Sequence, residues 1–264
     1  MAGKVVYVTE SVHYKKEVQL LFGVLTRYFG LKTTTDLKDL ETFFSETKVN
    51  IIGGTITSIF AGNPVADIDL YMEDPSKQEE IEKFLEGKYY QKEFITDTAI
   101  SFFRQVGTRV YHVQLILAFT GSPEQIFDSF DFTVCAGAYS FHRNDFVLHP
   151  RFLPDIAKKL LVYMGGSRYP ICALYRVIKY QQKGYICKGS TIMHLALAVN
   201  ALVISNYKDL KKHLRGIDTL FMQGYLEKMC ESDAPFEYAN VIADLFECLD
   251  SGLSLAESQE EDLL

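Results

Sequence analysis

In the stretch IIGGTITSIFAGNPVADIDLYM, residues 51–72, Asp67 and Asp69 stand two apart among Ile68, Leu70 and Tyr71. In an extended segment, residues i and i+2 share a face, so the two carboxylates lie side by side while Ile68 and Leu70 turn into a core. This demands a strand with one apolar face and one wet, acidic face. Two neighbouring carboxylates suit a hard divalent cation. A pair of such ions can orient an attacking oxygen and neutralise a transferred phosphoryl group. An edge strand with ordinary acidic residues on its solvent side is the other reading of the pair alone.

The residues upstream add a second element. Gly53 and Gly54 follow the apolar run VNII and precede TITSIF, which has the pattern of a helix start. Glycine permits close backbone approach, and the first amides of a helix can receive a phosphate. Thr55 or Thr57 is placed to add a hydroxyl. A tight turn that merely satisfies backbone geometry explains the glycines equally well.

Periodicity organises the rest. Residues 15–29 carry an apolar stripe at helical spacing that Gly30 can end, and a second helix is expected from a cap near Thr35 or Asp36. PSKQEEIEKFLEG, with an early proline, acidic residues at its start and Gly87 after its end, is a further helix. TAISFFRQ and VYHVQLILAF flank Gly107 as a hairpin, Ser122 and Pro123 open a short helix, and DFTVCAGAYSF and DFVLHP are extended pieces. From about residue 152 the pattern becomes helical: FLPDIAKKLLVYM, ICALYRVIKYQQKG, STIMHLALAVNALVI, YKDLKKHL, TLFMQGYLEKM and FEYANVIADLFECLD are separated by breakers, and an acidic end follows. The expected class is α+β, a small mixed β-sheet flanked by helices and then a mostly helical domain. The division falls at residues 1–150 and 151–264.

Charge and composition narrow the function. The 34 acidic residues against 27 basic give a net charge of -7, which argues against an extended duplex DNA clamp and favours a short or small partner. The five cysteines are odd in number, far apart and without CxxC spacing, so reduced, mostly buried thiols are expected. No leader pattern and no apolar run of about 18 residues occurs, which points to a cytoplasmic protein with no membrane partner. The histidines lack metal-ligand spacing, and His194, within IMHLALAV, is expected in a core. GxSxG, GxxxxGK and Rossmann signatures are absent.

GGTITSIFAGNPVADIDLYM resembles the signature of the nucleotidyltransferase superfamily, the group related to DNA polymerase beta. In that family a Gly-Gly or Gly-Ser turn precedes an acidic pair on a strand, and a third carboxylate comes from a later strand. The resemblance implies that Gly53 and Gly54, with Thr55, serve the donor phosphates, and that Asp67 and Asp69 bind metal. For the third carboxylate, the strand YHVQLILAF offers Gln114, a neutral amide that is no match for an anionic ligand. Asp131 is the candidate, with Asp128 its neighbour and competitor. The implied catalytic and metal-binding set is therefore Asp67, Asp69 and Asp131 with Mg2+ or Mn2+. The implied reaction is transfer of a nucleoside monophosphate from a nucleoside triphosphate such as ATP, with release of pyrophosphate. The acceptor would be an RNA 3′ end, a protein hydroxyl or a small molecule. Two alternatives stand beside it: a catalytically inactive interaction protein on the same scaffold, which Gln114 favours, and a metal-dependent phosphodiesterase or nuclease.

In the helical half, Arg176, Lys179 and Lys183 are three and four apart, so one helical face can carry them, and Arg168 precedes the helix. Such a face can turn toward a triphosphate or a polynucleotide backbone, and the resemblance implies donor contacts from a helical domain beside the sheet without assigning these residues; a solvated basic face is the plainer reading. Tyr169, Tyr175, Tyr180 and Tyr185 offer rings for base stacking, against the reading that they are simply packed.

Overall fold

The computed structural model describes residues 13–214 together with Tyr7, Met229, Cys230 and Phe236. Apart from Met229 and Phe236, the helical patterns at 219–229 and 236–250, the acidic end at 254–264 and Cys248 lie outside the described residues. Packing divides the chain into one unit of Met1–Ser167 with Gly184–Thr191, and a second of Arg168–Lys183 with the chain from Ile192 onward.

The first unit opens with helix α1 (Lys15–Phe29), whose stripe of Leu21, Val24, Leu25, Tyr28 and Phe29 is buried. Helix α2 (Thr34–Glu46) starts earlier than the expected cap at Thr35 or Asp36. The Thr33 hydroxyl accepts the Asp36 N–H and the Asp36 carboxylate accepts the Thr33 N–H, a reciprocal pair that fixes the first turn. Then follow β1 (Val49–Ile52), α3 (Gly54–Ala61), β2 (Asp67–Met72), a 3-10 turn, α4 (Gln78–Gly87), β3 (Gln91–Ile95), β4 (Ala99–Val106), β5 (Arg109–Ile116) and α5 (Pro123–Phe127). After a 3-10 turn at Thr133–Cys135 come β6 (Gly137–Ser140), β7 (Asp145–Leu148), α6 (Phe152–Ala157) and β8 (Leu160–Leu161).

A seven-stranded sheet in the order β3-β4-β5-β2-β1-β6-β7 results, and β2 and β5 are its parallel pair. One face, with Ile68, Leu70, Phe102, Val113 and Leu115, is fully buried or nearly so. Helices α1 and α4 lie over it: Lys92 of that face bonds Glu82 and Glu86 of α4, and Arg104 reaches the end of α1. Helix α2 joins through Phe44, whose ring meets Phe29 edge-on. A mixed sheet flanked by helices, followed by a largely helical region, is the class expected from the sequence.

Strand β3, which the periodicity leaves unassigned, is an edge strand whose alternation breaks at a bulge between Lys92 and Phe94. Two local expectations need correction. DFTVC forms a 3-10 turn and not a strand. The helix expected across FLPDIAKKLLVYM stops at Ala157, because Lys159 takes a left-handed conformation (φ 49°) and Leu160–Leu161 then pairs in parallel with β9 (Ile186–Cys187). α6 stays with the first unit through its buried Asp155, which accepts the Thr133 hydroxyl at 2.6 Å. That unit therefore runs to Ser167, past the 150/151 change of pattern.

The Arg104 guanidinium closes α1. It donates to the main-chain carbonyls of Arg27 and Tyr28 and lies 5.7 Å and 5.2 Å from the ring centroids of Tyr90 and Tyr111. Gly30, at φ 61°, leaves the room: a Cβ there would stand 2.6 Å from the guanidinium. A cation on the last carbonyls of a helix also opposes the negative end of its dipole. Arg104→Met keeps the stem and removes the donors, and is expected to lower stability by about 2 kcal/mol. Chemical denaturation checks this; an unchanged midpoint would show that the cap is idle.

The second unit contains α7 (Pro170–Gln182), most of α8 (Gly189–Asn200) and α9 (Tyr207–His213). Its core gathers Cys172, Tyr207, Leu210 and Leu214, with Tyr169 and Tyr175 packed against them. No helix among the described residues is long and apolar enough to cross a membrane.

Candidate functional site

The turn from β1 into α3 hangs on Gly53. Its backbone, φ 87° and ψ -127°, is open to glycine and strained for other residues. The Gly53 N–H donates to the Gly137 carbonyl of β6 at 3.0 Å, and the Thr57 hydroxyl lies within donating distance of the Gly53 and Val134 carbonyls, at 3.0 Å and 2.7 Å. The turn is thereby locked to the neighbouring strand. The amides that α3 can offer a phosphate begin at Gly54, since that of Gly53 is already committed.

The start of β2 is held from two sides. The buried Thr55 hydroxyl donates to the Asp67 main-chain carbonyl at 2.8 Å, and the Tyr28 hydroxyl donates to the Val65 carbonyl at 3.0 Å. Burial first, then the negative charge of Asp67, pushes the Tyr28 phenol up to about 12, so it stays a donor at neutral pH. Thr55, expected as a phosphate contact, thus ties the glycine turn to the acidic strand. Tyr28 escaped sequence reasoning because it is one more apolar-stripe residue until α1 docks beside Val65.

Asp67 and Asp69 are half-buried on one side of β2, while Ile68 and Leu70 between and after them are fully buried. Strand β5 runs parallel alongside, with His112 opposite Asp67 and Gln114 opposite Asp69. The His112 ring in turn lies 3.6 Å from the Glu93 carboxylate of β3. Asp131 follows α5 in the chain. It is 7% exposed, just before the 3-10 turn, with its carbonyl accepting the Met164 N–H at 2.8 Å and its charge helping burial to raise the Tyr163 phenol. Asp128 is exposed at the C-terminal end of α5.

These placements test the fit to a metal ion. Asp67 and Asp69 supply two anionic oxygen ligands on one face, and the Gln114 amide oxygen is a neutral one of the kind hard cations accept. Among the described residues, no group of three or more His, Cys, Asp or Glu is arranged to hold a metal, the trio of Asp67, Asp69 and Asp131 included. Asp67 and Asp69 are the two carboxylates on one face that would hold a divalent ion.

Arg168, Arg176, Lys179 and Lys183 belong to the second unit, where Lys179 and Lys183 are exposed on α7 and at its end. Tyr185 is buried in the first unit beneath the Lys159 ammonium, 4.8 Å from its ring centroid, so it is a packed ring. His194, expected in a core, is exposed on α8. Cys135, Cys172, Cys187 and Cys230 are reduced thiols, and that of Cys172 donates to the His213 carbonyl at 3.2 Å.

Comparison with known proteins places these features. The family described as "Gabija anti-defense 2 family protein" matches residues 24–159. "Gabija anti-defense 2" of Bacillus phage SPbetaL7 is 29% identical over 199 residues, 74% of this chain and 49% of that protein. The chain therefore spans about half the length of that relative. Among solved structures, a CCA-adding enzyme complexed with ATP superposes with a TM-score of 0.56 at 15% identity, covering 80% of this chain and 51% of that one. A CCA-adding enzyme complexed with CTP gives 0.49 at 15% identity, covering 69% and 48%. The fold is that of the nucleotidyltransferase superfamily.

Proposed function

The chain belongs to the Gabija anti-defense 2 family, and from that premise we propose that it opposes a Gabija defence by binding a component of that defence. The scaffold is a nucleotidyltransferase fold whose acidic site holds one divalent ion and the phosphates of a nucleoside triphosphate without completing the transfer. One observation carries this reading: the register puts the neutral Gln114 beside Asp69, where the superfamily resemblance calls for a third carboxylate. An ion bridging two carboxylates can still bind phosphate oxygens. Transfer needs in addition a charged ligand set that aligns and neutralises the developing oxygen charge. The cytoplasm of the infected cell is where such binding would occur, with Mg2+ or Mn2+ as the ion.

A second reading, transfer of a nucleoside monophosphate to a protein or RNA acceptor of the defence system, is favoured by a different observation. Asp67 and Asp69 are both present, side by side, on a strand that begins after a glycine turn. Like charges at adjacent same-face positions repel, and a pure docking scaffold gains nothing from them. In this reading Asp131 is the third carboxylate, and Arg168, Arg176, Lys179 and Lys183 contact the triphosphate.

The deciding experiment measures pyrophosphate release from labelled nucleoside triphosphates in the presence of Gabija proteins, alongside protection from Gabija in cells, for wild type and Asp69→Asn. The binding reading expects no release and protection retained in Asp69→Asn. Release and protection lost together in Asp69→Asn would overturn it in favour of transfer.

A further inference from the structure

Asp67 and Asp69 are held in place by different means. Asp69 lies within the sheet, opposite Gln114 of β5 and adjoining the ladder between β1 and β2, which covers Leu70, Tyr71 and Met72. Asp67 is the first residue of β2 and stands three residues short of that ladder, where β1 has already turned at Gly53 into α3. The end of a strand is where a ladder frays. Yet for one ion to reach both carboxylates, that of Asp67 must keep its distance from that of Asp69, and a ligand set holds its ion only when placed to within about 0.5 Å.

Two buried hydroxyls anchor the chain at this point. Thr55, 1% exposed, donates from the first turn of α3 to the Asp67 carbonyl at 2.8 Å. Tyr28, 5% exposed, donates from the last turn of α1 to the carbonyl of Val65, two residues before Asp67, at 3.0 Å. Both donors are themselves fixed. A β-branched threonine is stiff at χ1. The Tyr28 ring lies edge-on to that of Tyr111 of β5 at 5.1 Å, and the Tyr28 carbonyl accepts the Tyr90 hydroxyl at 2.9 Å. Thr55 has a single hydroxyl hydrogen, and the Asp67 carbonyl takes it, so none is left to donate to a phosphate oxygen. That hydroxyl serves the strand and not the ligand.

We infer that Thr55 and Tyr28 are positioning residues of the ion site: by anchoring the main chain at Asp67 and Val65 they aim the Asp67 carboxylate at the ion it shares with Asp69. The inference rests on the reading that this pair binds a divalent ion, and it adds two side chains, from α3 and α1, on which the binding depends. Groups that orient a metal ligand are worth roughly ten- to a hundredfold in metal affinity. Because these two bonds end on the main chain and not on the carboxylate itself, about tenfold is expected for each hydroxyl.

The test titrates Mn2+, read by the paramagnetic signal of the unbound ion, against wild type, Thr55→Val, Thr55→Ser, Tyr28→Phe and Thr47→Val, and takes the melting temperature of each without metal. Valine keeps the shape of threonine without the hydroxyl, and serine keeps the hydroxyl. Thr47→Val is the matched control: Thr47 is 1% exposed and its hydroxyl donates to the Phe43 carbonyl at 2.6 Å, but it precedes the far end of β1. Thr55→Val and Tyr28→Phe are each expected to weaken Mn2+ binding about tenfold, with Thr55→Ser binding as wild type does and Thr47→Val melting lower at wild-type affinity. Melting temperatures that fall in Thr55→Val and Tyr28→Phe while Mn2+ affinity stays unchanged would make the two bonds structural and overturn the inference. Equal weakening in Thr47→Val would reduce the effect to a general loosening of the fold and overturn it too. A wild type that binds no Mn2+ overturns the underlying reading along with the inference, so the wild-type titration tells the two failures apart.

Discussion

Replacing both Asp67 and Asp69 by Asn is expected to remove Mn2+ affinity by about three orders of magnitude, with the fold intact. The magnitude is a lower bound: even a single pair of unit charges at about 4 Å in a medium of effective dielectric near 20 is worth roughly 4 kcal/mol, and here a divalent ion loses two carboxylates. Asparagine keeps the shape and one acceptor oxygen but not the charge. Both side chains stand half in solvent, so the substitution opens no cavity, and it relieves repulsion between two same-face carboxylates. The melting temperature without metal should therefore be unchanged or higher. Paramagnetic titration of Mn2+ reports the first quantity and circular dichroism the second. Affinity kept in the double variant would remove the acidic pair from any metal role, and with it both readings that place nucleotide phosphates there.

Phe29→Ala is expected to cost about 3 to 5 kcal/mol, a large share of the roughly 5 to 15 kcal/mol that holds a domain folded. Phe29 closes α1 against the core, with its ring 5.7 Å from Phe44, 6.5 Å from Phe84 and 5.9 Å from Tyr90, so removing it leaves a void bordered by α2, α4 and the loop after α4. The neighbours are themselves interlocked: Phe43 and Phe84 stack at 4.0 Å, and Tyr90 donates its hydroxyl to the Tyr28 carbonyl. They cannot collapse into the space without losing those contacts. Phe94→Ser, on the exposed edge strand, should change stability by less than about 0.5 kcal/mol. Denaturant midpoints of the two variants make the comparison, and equal losses would contradict the assigned core.

What was legible in the sequence follows from which interactions are local. Helix α1 begins and ends where its apolar spacing and Gly30 place it, because periodicity and a left-handed stop are properties of one contiguous segment. The β4–β5 hairpin around Gly107 and the Ser122–Pro123 start of α5 were readable for the same reason. The cap of α2, Thr33, was misread by two to three residues because Asp36 is equally good as a cap and as the N3 partner of one. Strand β3 was missed because a bulge removes the two-residue period and its residues meet water rather than a core. The pattern of residues 152–164 is helical by composition, yet pairing of Leu160–Leu161 with residues from 186 onward overrides it.

The acidic site divides along the same line. Sequence by itself determined that Asp67 and Asp69 share a face, that Ile68 and Leu70 are core, and that a glycine turn leads to them, since a strand's two-residue period needs no partner to be read. Only the tertiary structure decided what stands beside the pair. Parallel pairing of β2 with β5, joined across two intervening strands and a helix, brings Gln114 rather than a carboxylate opposite Asp69. Register between strands is fixed by burial and turn geometry across the whole sheet, not by any one segment.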